Sequence, residues 1–263
     1  MRSDPLDRTV AAVAARVQWF LLTEDVPDRR GFLQAVAPSL KLVGVFVLIA
    51  VTALQRELRI LGLLVLLAGL LAIASRIPAR TFLSRLTGPP LIAAVVVAPQ
   101  AILMDGPRLS VLWLSADGVG YVAMFIVRVA ACVGFLSLLL LTTRFSALLS
   151  GLDRLRVPRI AVLLLAITYR FLLLFFAELE RMVRARRSRT LADPDLRRTW
   201  RDSGNFVGTF LLRSLERGER VGRAARARGG TGGIPRRPTD RFNRADIAFG
   251  LVVVVAVVGV MTA

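Results

Sequence analysis

Ile160-Ala161-Val162-Leu163-Leu164-Leu165-Ala166-Ile167-Thr168-Tyr169-Arg170-Phe171-Leu172-Leu173-Leu174-Phe175-Phe176-Ala177 runs without a break into Glu178-Leu179-Glu180-Arg181-Met182-Val183-Arg184-Ala185-Arg186-Arg187-Ser188-Arg189-Thr190. The first part is apolar enough to enter a bilayer. The second opens a stretch, Glu178 to Arg244, that holds half of the chain's 36 basic residues. If Ile160–Ala177 crossed the membrane, that stretch would be exported, against the tendency of arginine-rich segments to stay on the cytoplasmic side. The preceding loops give the same sense. Arg76–Arg85 carries three arginines, Asp105–Gly118 one arginine against two aspartates, and Arg144–Arg159 four arginines, an inside, outside, inside alternation. Ile160–Ala177 is therefore expected not to span. From Pro158, a first-turn proline, to Thr190 the pattern is one helix about 48 Å long at ~1.5 Å per residue, longer than the hydrocarbon layer is thick. It is expected to lie along or under the membrane, with Arg170 as an interfacial anchor.

The rest of the chain follows from that choice. With 55% hydrophobic residues and a mean hydropathy of +0.62, in long apolar blocks, this is an integral membrane protein. Apolar runs at Leu42–Leu54, Ile60–Ser75, Leu86–Met104, Val119–Thr143 and Ile247–Ala263 supply the spans. Phe145, Leu148, Leu149, Leu152 and Leu155 recur at helical spacing among charges, a short amphipathic helix ending at Pro158. Ala192-Asp193-Pro194-Asp195 breaks the pattern. Trp200, Val207, Phe210, Leu211 and Leu215 begin another amphipathic helix, which the glycines at 229, 230, 232 and 233 stop.

The expected fold is an all-α polytopic membrane protein with about five transmembrane helices and a three-helix cytoplasmic coupling unit. Residues 1–39 form an N-terminal amphipathic cytoplasmic segment, with Val10, Val13, Ala14, Val17 and Leu21 on one face. Residues 40–143 hold four transmembrane helices, 144–244 the cytoplasmic or interfacial helices, and 245–263 the final span. Val17–Leu22 is too short for a signal-peptide core, so insertion is expected to rely on the first span.

The net charge of +18 is what retained cytoplasmic loops produce, and no nucleic-acid partner is expected. The chain has no histidine and one cysteine, Cys132. No metal site, cofactor or intrachain disulfide is expected of it. There is no G-x-x-x-x-G-K-[ST] nucleotide loop, and the single lysine, Lys41, leads into the first span. The acids are scattered among arginines at helical spacing, so an enzyme is not expected. Arg128, inside the fourth span, is costly to bury and is a candidate for a structural or coupling role. The plainer alternative is that it pairs with a carbonyl or snorkels.

Two basic motifs end the two long helices: Arg184-Ala185-Arg186-Arg187-Ser188-Arg189 and Arg223-Ala224-Ala225-Arg226-Ala227-Arg228-Gly229. Arginine in a last turn meets the negative end of the helix dipole, and glycine after it takes the left-handed conformation that closes the helix. The arginine is held at a rigid tip, where its planar fork suits a bidentate bond to a carboxylate.

These motifs resemble the two Ala-Arg-Gly-type signatures of the transmembrane coupling subunit (T component) of energy-coupling factor transporters. Pro38-Ser39-Leu40-Lys41-Leu42 is similar to that family's Asp-Pro-x-x-Lys-Leu lead into the first span. Thr142-Thr143, Leu148-Leu149, Leu155-Arg156-Val157-Pro158, Tyr169-Arg170-Phe171 and Glu178–Met182 extend the likeness over most of the chain. The resemblance implies that Arg189 and Arg228, with Ser188, Thr190, Ala227 and Gly229 beside them, dock into a pair of ABC-type ATPase subunits. ATP-driven closure would then pass to a substrate-binding membrane subunit. The first motif departs from the pattern, because Ser188 and Thr190 stand where alanine and glycine are usual; Ala185-Arg186-Arg187 is the alternative register. Threonine does not readily take positive φ, so a different helix termination is expected there. The N-terminal lead, with Pro5-Leu6-Asp7-Arg8, looks like the cobalt or nickel branch, and the implied substrate is a cobalt or nickel ion or a vitamin. The expected location is the plasma membrane, multi-pass in the lipid bilayer, with the basic region cytoplasmic. The other reading from the residues is a membrane-anchored basic scaffold for anionic lipid or an acidic soluble protein.

Overall fold

A computed structural model describes residues 31–104, 115–189, 196–229 and 243–262. Its regular elements are helices, and the chain is an all-α polytopic membrane protein. In chain order the helices are α1 (Pro38–Leu54), α2 (Leu58–Ala74), α3 (Ala79–Val97), α4 (Gln100–Leu103), α5 (Ala116–Thr142), α6 (Phe145–Arg154), α7 (Arg159–Arg189), α8 (Leu196–Ala227) and α9 (Arg244–Thr262). They fall into two compact units: the described residues up to Val162 together with 243–262, and those from Leu163 to 229.

In the first unit α5 is the hub, packing against α1, α2, α3 and α4, while α1 packs against α6 and α9. Its core joins Val45 and Leu48 of α1, Leu64, Ala68 and Leu71 of α2, Phe82 of α3, Phe135 and Leu138 of α5, and Phe249 of α9. Small residues let the backbones approach where no hydrophobic effect would otherwise draw helices together in lipid. A Cβ at Gly44 would stand 2.5 Å from Cε1 of the fully buried Phe249. Gly44→Val is therefore expected to lower stability by about 1–3 kcal/mol through overpacking, read as a lower thermal midpoint of the purified chain in detergent. Outward-facing residues are apolar as well: Leu66 and Leu70 of α2, Leu91 and Val95 of α3, and Leu251 and Val254 of α9 are exposed. That is the expected face toward lipid.

Among the described residues, four helical segments are long and apolar enough to cross a membrane by length and composition: Ala79–Leu103, Ala116–Thr142, Arg159–Ala185 and Arg244–Thr262; α1 and α2 are shorter apolar helices. The segment at Arg159 is thus long and apolar enough for a span, and the argument against its crossing rests on the charge that follows it and on the alternation of the preceding loops. The helix itself is continuous over 31 residues, about 46 Å at ~1.5 Å per residue. Pro158 stands one place outside the first turn expected of it, its carbonyl accepting from Ala161 N at 2.9 Å and Val162 N at 3.3 Å.

The stretch Arg76–Arg85, taken from its charge as a loop, is largely helix, because α3 begins at Ala79. Pro78 starts it by accepting from Thr81 N and Phe82 N, and buried Phe82 anchors the first turn while Arg80 stays exposed. Arginines can ride the outer face of a helix whose inner face is packed, so charge alone did not mark the boundary. The N-terminal segment 1–30 and the break at Ala192-Asp193-Pro194-Asp195 lie outside the described residues.

Candidate functional site

The second unit is built from α7 and α8. Phe175 and Phe210 meet edge to face at 6.1 Å, and Glu178 accepts from Arg181 at 2.6 Å and from Arg213 at 3.4 Å. Around these contacts lies an open groove of about 260 Å³ lined by Phe175, Glu178, Arg213, Ser214, Glu216, Arg217 and Arg220. Exposed ion pairs of this kind add only ~0.2–1 kcal/mol each, so the ring contact carries more of the packing. Along α8, Val207, Leu211 and Leu215 remain exposed.

At the end of α8 the helix closes as the residue order dictates. The amide of Arg228 donates to the carbonyls of Ala224 and Ala225 at 3.2 Å, that of Gly229 donates to Arg226 O at 3.1 Å, and Gly229 takes φ +91°. Open space surrounds the position of a Gly229 Cβ. The glycine is therefore needed for its backbone conformation and not for room. Ala227 is the last residue of α8, and Arg228, just past it, is exposed. At the end of α7, Ser188 Oγ donates to Ala185 O at 2.9 Å and Arg189 is the last helical residue. Thr190, and with it the termination expected there, lies outside the described residues. Arg170 is exposed midway along α7. Arg170, Ser188, Arg189, Ala227, Arg228 and Gly229 thus belong to the two-helix unit, and Arg128 belongs to the bundle.

Arg128 pairs with a carbonyl. Its Nη2 donates to Gln55 O at 2.7 Å, just past the end of α1. Lys41, near the start of α1, mirrors this by donating to Thr142 O at the end of α5 at 3.3 Å and to Thr143 Oγ1 at 2.9 Å. Each of two antiparallel helices lends a cation to the carboxyl end of the other, where the dipole is negative and carbonyls lack helical partners. Arg128→Met is expected to cost about 1.5–3 kcal/mol, the range for a hydrogen bond to a charged group, measured by thermal unfolding with membrane insertion unchanged.

Asp246 is the residue that sequence reasoning missed. Only 2% exposed, it accepts from Ala37 N at 2.7 Å and Asn243 N at 2.9 Å. It ties the start of α1 to the start of α9. The signal was present: Asn243 followed three residues later by an acid is a capping-box pattern ahead of an apolar run.

A family model described as "CbiQ: Cobalt transport protein" matches residues 30–239. An uncharacterized protein of Methanocaldococcus jannaschii is 23% identical over 261 residues, covering 95% of this chain and 88% of that protein. The cobalt transport protein CbiQ of Rhodobacter capsulatus is 33% identical over 143 residues, covering 51% of this chain and 58% of that protein.

Proposed function

Since the chain belongs to the CbiQ cobalt transport protein family and is a multi-pass membrane component of transport, we propose that it is the coupling subunit of an energy-coupling factor importer for a cobalt-type ion. In this reading a pair of ABC ATPases grips the basic helix ends and a separate membrane subunit holds the substrate. The observation that carries it is the end of α8. There, a helix of 32 residues presents an exposed arginine closed off by a glycine at positive φ.

A carboxylate-lined groove on an ATPase would receive that guanidinium as a bidentate pair. Arg189, ending α7, would take the second ATPase. With no histidine and one cysteine, the chain leaves ion capture to its membrane partner. The arginine-rich region 178–244 lies on the cytoplasmic face of the plasma membrane in this arrangement, where ATP is available. Co-purification of the chain with ABC ATPases of the same genome, joined to cobalt uptake by the reconstituted complex, tests it. Binding and uptake together support coupling. A chain that binds anionic liposomes and no ATPase is instead a basic scaffold.

A further inference from the structure

The first turn of α1 holds the residue that leads into α6 and touches α6 itself. Thr143 lies between α5 and α6, extended and 6% exposed, and its hydroxyl accepts from Lys41 Nζ at 2.9 Å. One residue later Arg144 starts α6, its carbonyl accepting from Ala147 N and Leu148 N at 3.0 Å. Further along α6, buried Gly151 lies on the backbone of Pro38 and Ser39. A Cβ there would come within 3.1 Å of Ser39 N and 3.2 Å of the Pro38 carbonyl carbon.

The same turn is held from the other side by Asp246, which accepts from Ala37 N. An ammonium 1% exposed is costly to place, and the chain spends its one lysine there. Leaving α6, the chain passes through Arg156 at φ +61° to Pro158 and α7. That route is short and sharply turned, so the start of α7 is tethered directly to the end of α6.

We propose that Lys41 is a positioning residue for coupling: it pins Thr143, the residue that leads into α6, while the Pro38–Ser39 backbone seats α6 itself, so that displacement of α6 is passed to α1 and, through Asp246, to α9. The proposal rests on the coupling role argued above. Lys41 acts through the segment it holds, its ammonium donating to Thr142 O and Thr143 Oγ1. It fixes the segment through which motion enters the bundle.

The test uses the full chain reconstituted with its ATPases and membrane partner, in parallel with hydrogen exchange on the same complex. Thr143→Val removes the hydroxyl acceptor at nearly constant shape, Thr143→Ser retains it, and Lys41→Met removes the donor. Thr143→Val and Lys41→Met are expected to raise exchange of the α6 amides about tenfold, as for loss of one hydrogen bond to a charged group. Amides between Ala131 and Leu138 of α5 should stay protected. ATP hydrolysis is retained while ions imported per ATP fall, and Thr143→Ser behaves as the unaltered chain. Unchanged α6 protection in Thr143→Val overturns the proposal even if Lys41→Met fails to fold. So does release of α6 with uptake per ATP undiminished. Failure of the unaltered chain to bind any ATPase is a separate result, which overturns the coupling reading on which the proposal stands.

Discussion

Alanine at both Arg189 and Arg228 is expected to abolish co-purification of the ATPase pair and ion uptake while leaving membrane insertion intact. Truncating one partner of a hydrogen-bonded charge pair at an interface costs about 2–5 kcal/mol, much of it from the carboxylate left without a partner. Two such losses exceed what a moderately tight complex retains, since ~1.4 kcal/mol is tenfold in affinity. The fold should survive, because Arg228 is exposed and its backbone closure depends on Gly229. The single change Arg228→Lys separates coupling from the scaffold alternative. Lysine preserves the charge that a lipid surface senses, so liposome binding would hardly change. A groove that receives a planar fork would lose one of two parallel hydrogen bonds, and affinity for the ATPase should fall about tenfold. Titrating immobilised ATPase with each variant reads this directly.

Much of the fold was legible because membrane helices write themselves in long apolar runs, and the chemistry at their ends is local. The continuous helix through Phe171–Glu178 and the glycine closure at Gly229 needed only residue order and dihedral preference. What sequence could not supply was pairing across distance. Lys41 and Thr143 are 102 residues apart, and Ala37 and Asp246 are 209 apart. Lys41, Thr143 and Asp246 each read alone as an ordinary polar residue beside a span. Their joint burial appears only once α1, α5 and α9 are brought together. Arg128 shows the same limit from the other side. Its cost inside the bilayer marked it as unusual, yet its partner is a backbone carbonyl, which every residue carries and no sequence pattern singles out. The start of α3 was hidden for a different reason. Positive charge reports which side of the membrane a segment occupies and not whether it is helical.

Asp246→Ala should be strongly destabilising, and part of its cost should disappear when Lys41 is removed as well. The buried carboxylate accepts from two backbone amides, and its charge favours the buried ammonium of Lys41. Without it, Ala37 N and Asn243 N lose their acceptor and the ammonium loses its counter-charge. Each amide left without its acceptor costs about 1–3 kcal/mol, and that part remains when Lys41 is removed, whereas the attraction between the two charges is lost only once. The double change Asp246→Ala with Lys41→Met should therefore be at least ~1 kcal/mol more stable than the sum of the two single changes predicts. Thermal midpoints of the four proteins in one detergent give the coupling energy. Strict additivity would mean that the two charges do not act on each other, and that Asp246 holds α1 to α9 through the Ala37 amide alone, beside the packing at Gly44 and Phe249. Asp246→Asn refines the result, since an amide oxygen can still accept one of the amides while carrying no charge. If the charge is what matters, Asp246→Asn falls close to Asp246→Ala; if the amide bonds matter more, it falls close to the unaltered chain.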